Sequence, residues 1–166
     1  MAAGTRSYGG GGRHKIDECY NAGLAWSEGW ATFFAGAARL SPSDPDAKFQ
    51  YLVPRRAPIR LENVPEDVCK GPTSEWRVAA GLWDLHDVNA DGRDASALWF
   101  ARIWKGIAAQ RMGSFADAWG FISAGLAPDA LASGTQALRQ NTLLPEAIRL
   151  APAQSSLERL RVPAWD

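Results

Sequence analysis

The chain has little cysteine, little histidine and no net charge. Its two cysteines, Cys19 and Cys69, are too few for a disulfide framework and form no CxxC pair. We expect reduced, buried thiols, with one disulfide in an oxidising compartment as the alternative. Lys plus Arg and Asp plus Glu each number 18. This balance gives no support to a nucleic-acid or anionic-membrane partner, because both favour a basic surface.

No targeting or membrane-spanning segment is indicated. The N-terminal MAAGTRSYGGGGRHK lacks the apolar stretch of a signal peptide, so it does not indicate a compartment. Residues 19–38 have the length of a membrane helix, but a charge at the centre of such a helix costs roughly 2.5–3.5 kcal/mol. Glu28 is such a charge, and we therefore predict no membrane partner.

Helical patterns dominate what remains, so the predicted fold class is mainly α. Residues 1–13 are Gly-rich and indicate a flexible lead-in, 14–125 form a helical region, and 126–166 form a C-terminal helix and a surface tail. The first helix is expected over about 16–40, ended by the prolines of SPSDPD. Residues 47–73 are irregular and rich in proline. This segment has room for one short hairpin, with FQYLV as a candidate strand.

Capping residues mark where the later helices begin. These residues are Thr73 or Ser74, Ser96, Ser114 with Asp117 three residues on, and Pro128 before a short helix. Eight tryptophans are expected to pack the core. Their alternative role, as stacking platforms for sugars or bases, requires them to be exposed.

Glu28 is the one acidic or basic side chain between residues 20 and 38. On a helix its neighbours are small or apolar, so the carboxylate rises from a face that ought to be buried. Three states tolerate this: a neutral carboxyl with a raised pKa, an ion pair with an arginine such as Arg77, or a bound metal cation.

The surrounding residues, WSEGWATFF from 26 to 34, resemble the third-ligand helix of the gluzincin zinc metallopeptidases. A second stretch, SEWRVAAGLWDLHD from 74 to 87, is similar to a later helix of fungalysin-like proteases. The resemblance implies that Glu28 is a zinc ligand. Trp26, Trp30 and Thr32 would then line the site and help to keep water out.

The sequence departs from this family in one essential respect. There is no HExxH, and the two histidines, His14 and His86, each lack a partner four residues on. The zinc ligands and the general base carried by that motif are therefore missing. We expect His14 and His86 to be surface or hydrogen-bonded histidines.

The resemblance consequently implies a helical half-domain of a zincin-like fold, downstream of a missing segment that carries HExxH. The resemblance implies that the complete domain binds zinc. This chain alone is expected to bind zinc poorly and to lack peptidase activity. We therefore assign no catalytic residue. The resemblance also hints at export. The alternative is a non-catalytic α-helical interaction module, for which self-association would hide an apolar face.

The loop DVNADGRD, residues 87–94, follows the first half of a calcium-binding EF-hand loop. Asp87, Asn89 and Asp91 occupy the first, third and fifth ligand positions, and Gly92 occupies the sixth. The twelfth position, which should supply a bidentate Glu, is Leu98. An Asx-rich turn between two helices is therefore favoured, with calcium binding as the weaker alternative.

Overall fold

The computed structural model describes residues 14–50, 58–92 and 95–145. The described part contains five helices and two short strands: α1 (Ala22–Ala37), β1 (Lys48–Phe49), β2 (Ile59–Arg60), α2 (Glu75–Asp84), α3 (Trp99–Ile107), α4 (Phe115–Ser123) and α5 (Pro128–Gln140). The mainly α prediction is confirmed. The lead-in, the tail beyond residue 145 and most of the FQYLV segment lie outside the described residues.

Helix α2 lies at the centre of the core. All ten of its residues are buried, including the large rings of Trp76 and Trp83. Helix α1 packs against one side of α2 and α5 against another, while α3 packs on α4. A short helix enclosed in this way is stabilised mainly by tertiary packing, because its own length is marginal for helix formation.

Side-chain caps fix the starts of three helices. Ser74 accepts a hydrogen bond from the Arg77 amide, and Ser114 accepts one from the Asp117 amide, which confirms both predicted caps. Asn21 accepts a hydrogen bond from the Leu24 amide at 2.9 Å. Helix α1 therefore begins about six residues later than predicted, and the segment before it is not helical.

Two other helices also differ from their predicted extents. Helix α3 begins at Trp99, after Leu98, rather than directly after Ser96. Helix α5 is 13 residues long, not short, and it packs on α2 with Leu138 fully buried. The Pro-rich segment does hold a small antiparallel pair, in which Lys48 faces Arg60 and Phe49 faces Ile59.

The expectation of reduced thiols is wrong. Cys19 and Cys69 form a disulfide across a sequence separation of 50 residues, with their Cα atoms 5.6 Å apart. Backbone hydrogen bonds bring the two segments together: Tyr20 donates to the Thr73 carbonyl at 3.0 Å, and Cys69 donates to the Asp17 carbonyl at 2.9 Å. This pairing is long-range, so cysteine spacing could not reveal it.

In the described part of the chain, none of the helices is long and apolar enough to cross a bilayer.

Candidate functional site

Glu28 lies on α1 beside the N-terminus of α2. The neighbouring Gly29 sets this approach, since a Cβ built on it would lie only 2.7 Å from the Glu75 carbonyl oxygen and 2.7 Å from the Val78 side chain. Only a glycine lets the two helices come so close at this point. Glu28 itself is half-buried.

Glu75 lies close enough to Glu28 for the charge of Glu28 to raise its pKa, and a histidine contacts Glu75 from another segment. Ser74 caps α2 and thereby places Glu75 at its first helical position. His14 Nε2 lies 3.0 Å from Glu75 Oε2, with side-chain exposures of 28% for His14 and 8% for Glu75. We call His14, Glu28 and Glu75 the carboxylate cluster. Its members come from three separate parts of the sequence.

The electrostatics of the carboxylate cluster disfavour a second negative charge. Burial raises the pKa of Glu75 to about 6; the positive charge of His14 opposes this increase, and the negative charge of Glu28 adds to it. A buried carboxyl that faces another carboxylate gains from a bound proton or a nearby cation. The carboxylate cluster is therefore a favourable place for positive charge.

The ion pair considered for Glu28 does not form with Arg77. Among the described residues, no cationic side chain lies within 4.0 Å of the Glu28 carboxylate. The Arg77 guanidinium instead donates to the Pro65 carbonyl at 3.3 Å, and its burial lowers its pKa. A half-buried carboxylate without a countercharge keeps its charge at low cost only where water or another ligand reaches its exposed side.

The residues expected to line the Glu28 site are not all on its face of α1. Thr32 is one turn on and buried, so it shares that face. Trp26 and Trp30 are each two residues from Glu28, which on an α-helix corresponds to roughly 200° around the axis. They stack on each other, with ring centroids 6.0 Å apart.

Trp30 belongs to a band of contacting aromatic rings that joins α1 to α3. Its ring centroid lies 6.1 Å from Phe34, 6.4 Å from Phe100 and 6.1 Å from Trp104. Phe34 and Trp104 each remain 47% exposed. We call Trp30, Phe34, Phe100 and Trp104 the aromatic strip. Exposed rings that stack on one another form a continuous apolar surface, which is typical of a contact site.

His86 lies away from the surface, contrary to expectation. It is buried, and its ring meets Phe33, Trp83 and Phe100 edge-on at centroid distances of 5.5–6.3 Å. Its Nδ1 atom has no hydrogen-bond partner among the described residues. Burial lowers its pKa, so at neutral pH it behaves as a neutral aromatic core residue.

The acidic loop after α2 gathers more carboxylates than its sequence indicates. Asp87 is fully buried, and Asp91 accepts a hydrogen bond from Gln140 at 3.2 Å. Glu62, from the segment after β2, contacts this loop. Its pKa is raised mainly by burial and further by the charge of Asp91, while hydrogen bonds to Trp83 and Asp87 oppose the increase. Asn89 is half-buried in the same loop.

The described ranges contain no preformed metal site. In residues 14–50, 58–92 and 95–145, no three His, Cys, Asp or Glu side chains are grouped so that they could hold an ion. Within these ranges, neither the carboxylate cluster nor the acidic loop brings together enough ligands to hold zinc or calcium by itself, and we assign no metal-dependent step to them.

Sequence reasoning missed the partners of Glu28 and of the acidic loop. The sequence alone assigns no role to Glu75 or to Glu62. Neither has a local signal, because each reaches its neighbours through tertiary packing. Comparison with known proteins adds no further guide: no family model, curated protein or solved structure matches the chain.

Proposed function

We propose that this chain is the downstream part of a zinc metallopeptidase-like domain, in which Glu28 is the glutamate zinc ligand. The observation that carries the proposal is a half-buried carboxylate on a rigid helix, within WSEGWATFF, with no cationic partner among the described residues. A ligand in such a position is oriented by its helix, and a cation would compensate the cost of its burial.

The surroundings of Glu28 support the same role. Gly29 allows α2 to approach closely, and the nearby Glu75 is a second negative group that a cation would stabilise. Helix α1 carries no other charged residue. A zinc ion with an open coordination position needs about two further protein ligands, and in this proposal they are the histidines of an HExxH helix in another segment.

The first experiment is to translate the codons upstream of Met1 in frame. The proposal expects an HExxH motif there, followed by this chain. An in-frame stop codon shortly upstream of Met1, with no HExxH motif between the two, would contradict the proposal.

The second experiment measures zinc content and peptidase activity of this chain alone. Without the two histidines we expect only substoichiometric zinc and no turnover of a peptide substrate, because one glutamate cannot hold the ion. Stoichiometric zinc together with turnover would show that this chain is complete by itself, and would overturn the half-domain proposal.

The aromatic strip favours a second candidate, a non-catalytic α-helical interaction module. Phe34 and Trp104 are large and exposed, and both rings contact Trp30. If self-association is the function, replacing Phe34 and Trp104 with serine should convert a dimer to a monomer in analytical ultracentrifugation. Glu28→Gln should leave the dimer intact. A wild-type chain that is monomeric at about 100 µM would argue against this candidate, since affinities weaker than this are marginal.

A further inference from the structure

His14 reaches the carboxylate cluster on a segment that is tied to the core by the disulfide. Cys19 lies five residues after His14 and is bonded to Cys69, in the loop that leads to α2. Both cysteines are half-buried, so a small reductant can approach this side of the molecule. The disulfide therefore fixes the segment that carries His14 to the loop before α2.

Non-covalent contacts also hold this segment against the core. Beyond the disulfide, the described backbone bonds to the core are Tyr20 N to Thr73 O at 3.0 Å and Cys69 N to Asp17 O at 2.9 Å. His14 adds its 3.0 Å contact with Glu75, and Ile16 packs partly on the core. All residues from 14 to 20 are half-buried or exposed, and a segment at the surface opens locally at lower cost than a helix in the core.

We propose that the Cys19–Cys69 disulfide is a redox latch for the carboxylate cluster. When it is closed, His14 is held against Glu75. When it is reduced, residues 14–20 detach from the loop before α2, His14 leaves Glu75, and the Glu28 and Glu75 carboxylates become accessible to solvent. This proposal does not depend on zinc ligation by Glu28, because it concerns only access to the carboxylate cluster.

The reduction is an exchange with a dithiol. One thiolate of the dithiol attacks a sulfur of the Cys19–Cys69 bond and forms a mixed disulfide, and the sulfur that leaves takes up a proton. The second thiol of the reagent then attacks the mixed disulfide. Cys19 and Cys69 gain two electrons and two protons in total, and the dithiol is oxidised to its own disulfide.

The test is residue-resolved amide hydrogen exchange on the whole chain, before and after treatment with dithiothreitol. Free thiols are counted by mass spectrometry, and near-ultraviolet circular dichroism reports whether the tryptophan core stays packed. We expect the Tyr20 and Cys69 amides to exchange at least about tenfold faster after reduction, and trypsin to cleave after Lys15 correspondingly faster. The Cys19→Ala, Cys69→Ala double variant should show the same behaviour without reductant.

Three outcomes would overturn the latch. The disulfide could resist dithiothreitol in the folded protein. The Tyr20 and Cys69 amides could keep their protection although both thiols are free, which would mean that the non-covalent contacts suffice. Finally, the near-ultraviolet signal could be lost on reduction. The disulfide would then be required for packing of the whole core, and its effect would not be confined to residues 14–20.

Discussion

Glu75 is the residue whose ionisation couples the carboxylate cluster to stability. Its pKa is raised to about 6 in the folded chain, first by burial, from an ordinary value of about 4.5. The folded state therefore binds the proton more tightly than the unfolded state. This contribution to stability is complete below pH 4.5 and is lost as the pH rises through 6.

We predict that Glu75→Gln removes this pH dependence. From pH 4.5 to 7, the wild-type chain should lose roughly 2 kcal/mol of unfolding free energy through this group, about 1.36 kcal/mol for each pKa unit. The variant should lose correspondingly less over the same range. Urea denaturation at both pH values measures the unfolding free energies. An equal loss of unfolding free energy in wild type and variant would contradict the raised pKa of Glu75.

His86 should give the opposite dependence. Burial lowers its pKa, so the unfolded state binds the proton more tightly, and stability falls as the pH drops below about 6.5. His86→Phe keeps an aromatic ring among Phe33, Trp83 and Phe100 but cannot titrate. We predict that this variant gains stability relative to wild type between pH 8 and 5. Thermal unfolding at the two pH values tests this, and an equal change in both proteins would count against a neutral core histidine.

At the scale of single elements, the close contact between α1 and α2 rests on Gly29. A methyl group added there would lie 2.7 Å from the Glu75 carbonyl oxygen and from Val78, so the two helices would have to move apart. We predict that Gly29→Ala destabilises the chain by about 1–3 kcal/mol, the usual cost of overpacking.

Gly120 provides the matched control for this substitution. It lies within α4, and a Cβ built on it meets nothing within 4 Å. Gly120→Ala should therefore stabilise the chain by about 0.5–1 kcal/mol, because alanine is the better helix former. Chemical denaturation of both variants gives the comparison. Equal effects at Gly29 and Gly120 would show that α1 and α2 are not in close contact.

The sequence predicted those element boundaries that depend on local chemistry. Ser74 and Ser114 cap their helices because their hydroxyls reach amides only three residues on. The start of α1 was misjudged because residues 16–20 are compatible with a helix locally, whereas Cys19 pairs with Ser74 as an isolated bridge and is bonded to Cys69. Long-range pairing overrode local propensity here.

In the whole molecule, the packing of other segments around α2 brings the neighbours of Glu28 to it, so the site could be predicted only in part. Glu28 stood out because charged residues are otherwise absent from α1, which is a local pattern. Its neighbours, Glu75 and His14, come to it only because α1 packs on α2 and a disulfide fixes the preceding segment. Contacts of this kind depend on the packed arrangement of several elements, and no short window of sequence contains them.

The aromatic strip is likewise a property of the assembled molecule. Trp30 and Phe34 are four residues apart on α1 and so share a face of that helix, and the same holds for Phe100 and Trp104 on α3. The stacking between the two helices, with centroids 6.1–6.4 Å apart, follows from their packing. The proposed interaction module would use this face, because Phe34 and Trp104 remain exposed on it.

The most direct test of the account is the zinc content of the protein made from its complete reading frame, measured in wild type and in Glu28→Gln. Glu66→Gln, at an exposed position, serves as the control. We predict about one zinc per chain in wild type and in the control, because three fixed protein ligands hold one zinc ion. It predicts that zinc is lost in Glu28→Gln. Zinc retained in Glu28→Gln, or absent from the wild-type protein, would contradict the assignment of Glu28 as a zinc ligand.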